Sequence, residues 1–214
     1  MEQPPKQLYE NSFFWKIFCA SNYFLGGILF LVGSILFFPT LTDIMILDTI
    51  SIWCFIIGSF NFVLADGMVG WHWIEQGKKY IEITLNCGVS MISIGAYLVG
   101  SVFLLPSVNW LRAGIILFLV GSYFLCLSEG WKLFRLLRPK NKTFKEIIEE
   151  KGLIFLMDIL FSTGAITFLA GSYTFDEEGT GIKLEYATAI FFTFGSACFF
   201  VGCGVLFKFY FEQK

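Results

Sequence analysis

The sequence predicts an all-α integral membrane protein of six transmembrane helices, built as three repeated helical hairpins with pseudo-threefold character. Three observations predict it. Of 214 residues, 56% are hydrophobic and only 15% are charged, where a soluble domain carries about 25% charged residues. Six apolar runs are long enough to cross a hydrocarbon core of about 30 Å, which takes roughly 20 helical residues. Each run also holds one Gly-Ser pair, three of them inside the same tetrapeptide, LVGS.

The first run, about Lys16–Phe38, follows the polar, proline-bearing stretch Met1–Tyr9. It is as long as a full span and shows no small-residue cleavage site, so it reads as a mature helix rather than a signal peptide. The others are about Thr49–Trp71, Ile83–Leu105, Trp110–Leu127, Leu153–Tyr173 and Tyr186–Tyr210. They are apolar on every face, which fits helices; barrel strands would alternate polar and apolar residues.

The pairs are Gly33-Ser34, Gly58-Ser59, Gly100-Ser101, Gly121-Ser122, Gly171-Ser172 and Gly195-Ser196. Successive glycines are 25, 42, 21, 50 and 24 residues apart. Short and long intervals alternate, as expected of a two-helix unit used three times. The units span about 16–79, 80–140 and 152–211, in a single membrane domain with a linker at 140–152. In register, Pro39 falls on Pro106 at the end of a first helix. Seven residues before the glycine stand Gly26, Ser93 and Gly164 in the first helices and Ser51, Gly114 and Thr188 in the second. Seven residues after it, the second helices carry Ala65, Ser128 and Gly202. A small residue every seven positions marks a seam for left-handed helix packing. Lipid provides no hydrophobic drive between helices, so the seam works by close backbone approach and by hydroxyl hydrogen bonds. The alternative use of the six serines is to line a pore or a ligand site.

Charge predicts orientation. All Lys and Arg except Arg112 and Lys183 fall at the termini or at the linkers near Lys78-Lys79 and Lys132–Lys151. Basic residues stay cytoplasmic, so both termini are expected on the cytoplasmic side, or the matrix or stromal side of an organelle. The opposite tips lean acidic, with Asp43, Asp48, Asp176, Glu177, Glu178 and Glu185. Trp15, Trp71, Trp73, Trp110 and Trp131 fall near expected interfaces, where amphipathic rings are enriched. The sequon Asn141-Lys142-Thr143 then lies on the cytoplasmic side and is expected to stay unglycosylated. Thr143 and Glu146 form a capping box; it heads either a short surface helix or a plain solvated loop.

Ionisable residues inside spans are functional candidates. Asp66 and Glu129 both stand eight residues after the glycine of their pair, where the third unit has Cys203. They either pair with cations such as Lys132 or face water, or they form an acidic ring at a pore mouth or a proton-accepting site. Asp158 has no acidic counterpart and is expected to reach the membrane face or a basic linker residue. Asn22, Asn61 and Asn86 read as hydrogen-bond glue between helices. His72, the single histidine, has only Glu75 beside it. Zinc takes at least three protein ligands, so no metal site is expected. The six cysteines lie in apolar runs without a C-x-x-C pair and read as small hydrophobes.

Several classes are excluded. A net charge of −2 argues against a nucleic-acid partner, which calls for a basic face. No phosphate loop, dinucleotide fingerprint, zinc-protease motif or nucleophile elbow is present. One histidine cannot supply two haem ligands. No cofactor and no enzymatic activity are therefore expected.

The unit FLVGSILFFP, then a short tip, then FIIGSFNFVL resembles the YrhK-like family of small membrane proteins, built on a two-helix hairpin with Gly-Ser in each helix. The matching stretches are Leu31–Pro39 with Phe55–Leu64, and Leu98–Pro106 with Leu117–Leu125. The third unit matches at Ala170–Tyr173 with Phe194–Phe199 and has Glu177 in place of the proline. The resemblance implies three tandem hairpins and brings no catalytic residue with it. Packing signals without a catalytic constellation point first to a structural or accessory protein, a subunit of a larger membrane complex or a homo-oligomer in the bilayer. A channel or small-solute transporter is the alternative, motivated by the repeats and by Asp66 and Glu129. A membrane enzyme is the third reading. A cavity of converging polar side chains separates the transporter from a packing module, whose axis would be filled by Gly, Ser and Phe.

Overall fold

The computed structural model describes residues 13–42, 44–75, 80–138, 144–175 and 182–212. Asp43, Lys78-Lys79, the sequon, Thr143 of the capping box, and Asp176, Glu177 and Glu178 lie outside them. The elements are α1 (Phe13–Leu36), the single turn α2 (Pro39–Thr42), α3 (Met45–Glu75), α4 (Ile81–Leu104), α5 (Leu111–Leu137), α6 (Phe144–Thr174) and α7 (Ile182–Glu212). Among the described residues, six helices are long and apolar enough to cross a membrane.

Each long helix packs against the long helices before and after it in the chain, and α7 closes on α1. The result is a ring of six antiparallel helices. One end carries the hairpin tips. The other carries the start of α1 and the end of α7, and is called the terminal end below. The α4–α5 tip is tight: Asn109 adopts φ 51°, which asparagine tolerates better than most residues, and the amides of Val108 and Asn109 both donate to the carbonyl of Leu105 at 2.9 Å.

Several helices outrun the apolar runs that announce them. α5 continues to Leu137, ten residues past the expected Leu127, and α3 reaches Glu75. Once a helix leaves the hydrocarbon, water and ion pairs support it as well as lipid does, so the end of hydrophobicity is not the end of the helix. The segment 140–152, expected as a linker, is helical from Phe144 and joins α6 through a break at Lys151 (φ −132°, ψ 29°).

A ring of six leaves an axis to fill, and aromatic rings fill it. An aromatic residue stands three positions before every Gly-Ser pair: Phe30, Phe55, Tyr97, Phe118, Phe168 and Phe192. Phe55, Phe118 and Phe192 meet pairwise with centroids 6.0–6.4 Å apart. Phe30, Tyr97 and Phe168 meet at 5.8–6.2 Å. These separations suit edge-to-face and offset contacts. All six side chains are buried. Toward the tips, Phe37 and Phe175 (centroids 5.3 Å apart) extend the stack.

Each axial ring lies over a glycine of the hairpin partner. A Cβ on Gly58 would stand 2.6 Å from Phe30, and one on Gly171 2.6 Å from Phe192. On Gly195 it would stand 2.6 Å from Phe168 and on Gly100 3.0 Å from Phe118. Gly121 faces Tyr97 and Gly33 faces Phe55 at 3.3–3.4 Å. The serines turn the other way, toward the next hairpin. Ser34 bonds Ser196 across α1–α7 at 2.8 Å, and Ser122 bonds Ser172 across α5–α6 at 2.7 Å. At the α3–α4 joint, Ser101 bonds the carbonyl of Tyr97 in its own helix, and the Ser59 hydroxyl is buried without a partner. Consecutive helical residues are turned by about 100° and the two neighbours in a six-membered ring by about 120°. Adjacent Gly and Ser therefore serve the two neighbours, and position −3 points between them, at the axis.

Two substitutions separate close approach from helix propensity. Gly171→Ala drives a Cβ into Phe192 and is expected to destabilise by roughly 1–3 kcal/mol, the scale of overpacking. Gly95 has nothing within 4 Å of a built Cβ, so Gly95→Ala gains up to about 1 kcal/mol of helix propensity. Thermal melting in mild detergent reads both; equal shifts of one sign would refute the packing account.

Candidate functional site

Below the triad of Phe30, Tyr97 and Phe168 the axis is not filled. A cavity of about 250 Å³ runs from that layer toward the terminal end, and all six long helices line it. Its upper wall is apolar, with Phe62, Leu125 and Phe199 four residues after the glycines of the second helices. Below them the lining turns polar. Position +8 falls on the same helix face as −3 and +4, since helical residues advance by about 100°. That spacing turns Asp66 and Glu129 inward, and Cys203 fills the equivalent place on α7.

Asp66, Glu129 and Asp158 all line the cavity, together with Lys132 and Arg135. The three acids are 6%, 3% and 5% exposed. Asp66 lies six residues past the middle of α3 and Glu129 five past the middle of α5, whereas Asp158 stands about two turns after the break at Lys151. Asp66 and Glu129 thus sit deeper than the apolar runs imply, because α3 and α5 continue beyond those runs.

Each acid is satisfied differently. Asp66 pairs with no cation; it accepts hydrogen bonds from the hydroxyls of Tyr23 on α1 and Ser90 on α4, the latter at 2.5 Å. Three helices thereby meet at one carboxylate. Glu129 receives the ammonium of Lys132 on Oε1 at 2.7 Å, one helical turn away. Its Oε2 is buried without a hydrogen-bond partner, and so is Nη1 of Arg135. No hydrogen bond or ion pair joins Asp158 to a described residue, and the expected pairing with a basic linker residue does not form among them. The Lys132 side chain is 28% exposed while its ammonium reaches the buried Glu129.

Other candidates fall elsewhere. Asn22 and Asn61 donate to carbonyls of their own helices, Phe18 and Ile57, at 2.8 Å each, so they are not glue between helices. The i−4 carbonyl is already within reach and costs no ordering of a second helix. Asn86 is buried on α4. His72 lies against the rings of Trp15 and Trp73, while Glu75 accepts a hydrogen bond from the Trp71 indole at 2.7 Å. The two do not converge, and among the described residues no group of three or more His, Cys, Asp or Glu is placed to hold a metal ion. Trp15 and Trp73 are buried in aromatic contacts, whereas Trp71, Trp110 and Trp131 are exposed as interface rings would be. All six cysteines are free.

Lys132, Arg135 and the hydroxyls of Tyr23 and Ser90 were not singled out as cavity residues from sequence. A signal existed: Lys132 and Arg135 follow Glu129 at three and six residues, on nearby faces of one helix. The axial aromatics had a plainer one, the six-fold recurrence of an aromatic three residues before Gly-Ser.

Removing the ammonium strands a buried carboxylate. Lys132→Met is expected to cost about 3–5 kcal/mol, the scale for breaking a buried ion pair. The double change Glu129→Gln, Lys132→Met should recover most of the loss. Additive losses in this double-mutant cycle, followed by melting, would show that the pair does not couple.

The YrhK-like protein family matches residues 14–65. That stretch covers nearly all of α1 and the first two-thirds of α3, the first hairpin with its Phe30–Gly58 and Phe55–Gly33 contacts. It ends one residue before Asp66, so the match includes the upper packing and none of the cavity acids. No curated protein and no solved structure matches the chain.

Proposed function

We propose that this protein is a small-solute carrier of the membrane, with the axial cavity and its few charged groups as the binding site and the axial aromatics as its seal toward the hairpin tips. The observation that carries this reading is a cavity lined by all six long helices in which the Asp158 carboxylate and Oε2 of Glu129 meet no hydrogen-bond donor among the described residues. Burying an ionisable group in a membrane is costly, and such groups line solute or ion pathways. Among the described residues neither Asp158 nor Oε2 of Glu129 accepts a hydrogen bond that would offset its burial. A channel is disfavoured beside a carrier, because two aromatic triads close the axis above the cavity.

The hairpins are read as three copies about a pseudo-threefold axis. Support comes from the aromatic-x-x-Gly-Ser pattern in all six long helices and from the two triads, each drawing one ring from every hairpin. On this reading the copies have diverged most in the cavity, where Asp66, Glu129 and Cys203 occupy equivalent positions. The bias of Lys and Arg supports a cytoplasmic terminal end, and on this reading the cavity faces inward. Asn141 should then remain unglycosylated when the protein is inserted into microsomes; a glycan there inverts the topology.

A second reading, a structural or accessory subunit of a larger complex, is favoured by the tip-side axis, which is packed with phenylalanine as a packing module would be. Two measurements separate them. Transient currents on a solid-supported membrane, with a panel of small cations, anions and zwitterions, should reveal at least one transported solute. Asp158→Asn should weaken that current, and Asp48→Asn, far from the cavity, should not. Silence across the panel, with stoichiometric partners co-migrating in a large particle in mild detergent, would favour the subunit.

A further inference from the structure

We infer that the solute taken by this cavity is a small organic ammonium ion with a short apolar body; this rests on the carrier reading and names its substrate class. Unmet hydrogen bonds favour a donor. Asp158 is 5% exposed and makes no hydrogen bond or ion pair with a described residue, and Oε2 of Glu129 is buried without a hydrogen-bond partner. Both are acceptors that want a donor. A protonated amine offers up to three N–H groups and no acceptor, as the lysine ammonium does. A carboxylate ligand would satisfy Nη1 of Arg135 and leave both acid oxygens unmet.

Charge favours it too. Three carboxylates and two cations line the cavity; with all five ionised, a monocation balances the site and an anion adds to the excess. Lys132 is already committed to Glu129, and Asp66 to two hydroxyls. Arg135 keeps an unbonded Nη1 in the same lining, and Asp158, bonded to neither cation, is the carboxylate left to meet an incoming cation. The wall suits such a solute. Phe62, Phe161, Phe199 and Tyr210 line the cavity, and aromatic rings attract ammonium groups as well as apolar chains. A bare metal ion would find no cluster of three ligating side chains among the described residues. Size sets the upper bound: about 250 Å³ falls below the roughly 300–1,000 Å³ of pockets for drug-sized ligands.

The test uses the full chain in nanodiscs and three probes of one length: butylammonium, butyrate and the zwitterion γ-aminobutyrate. Butylammonium should bind saturably by calorimetry and raise the melting temperature, and butyrate should do neither. Asp158→Asn should weaken butylammonium roughly tenfold or more, the scale of one hydrogen bond to a charged group. Its melting without ligand shows that the fold persists, and Glu129→Gln gives a second, independent loss. Preferential binding of butyrate or γ-aminobutyrate would overturn the ammonium class and leave the carrier reading standing. Butylammonium binding that neither variant weakens would overturn this site. Binding that responds to both variants, with no transport current, would support the ammonium site and overturn carriage.

Discussion

The structure depends on one contact made six times: an aromatic ring seated on a glycine of the paired helix. Lipid gives helices no hydrophobic reason to associate, so close packing and hydrogen bonds must hold them. A ring of six helices also leaves a hole that aliphatic side chains fill poorly. A phenylalanine fills it only if the opposite helix has no Cβ where the ring lies. Gly58 beneath Phe30 and Gly171 beneath Phe192 meet that condition at separations no Cβ would tolerate. The glycine thus sets the spacing within a hairpin, and the neighbouring serine joins hairpins at the α1–α7 and α5–α6 joints.

The same geometry divides the axis into two halves. Where aromatics stand at −3 on every helix, the rings meet and the axis is closed. Further toward the terminal end, the inward positions carry Tyr23 and Ser90 on first helices and Asp66 and Glu129 on second helices. Tyr23 and Ser90 turn to Asp66 and Glu129 to Lys132 rather than packing ring on ring at the axis, and a cavity remains. Its polar groups are partly self-satisfied. The carboxylate of Asp66 ties α1, α3 and α4 together through two hydroxyls, which holds one side of the cavity in place. The opposite side, around Glu129, Asp158 and Arg135, keeps unmet donors and acceptors. A membrane interior penalises that arrangement unless something else occupies it.

The outer surface has a separate task. Trp53, Phe60, Ile116, Ile166 and Phe194 are exposed, as side chains are that face lipid rather than protein. Their exposure carries no information about a partner, because a membrane solvent wets them fully. The buried Trp15 and Trp73, by contrast, stack with Tyr210, His72 and Tyr80 near the terminal end. They knit α1, α3 and α7 together just below the cavity.

Much was legible in the amino-acid order itself. Six apolar runs dictate six helices, because lipid leaves the backbone no other way to satisfy its hydrogen bonds. The Gly-Ser pairs, the small residues seven positions away and the inward placement of Asp66 and Glu129 all follow from a period near 3.6 residues. The extent of α5 and α6 was not legible, since hydrophobicity reports the bilayer and not the helix. Nor was the choice of Asn22 and Asn61 to bond their own helices, because periodicity places a side chain on a face without naming its partner. Only the closure of α7 onto α1 decides the rest. It turns six amphiphilic stripes into one axis, brings Ser34 to Ser196 across more than 160 positions of chain, and places Asp158 in the same cavity as Glu129 and Asp66. No local pattern encodes that meeting, because it depends on how many helices complete the circle.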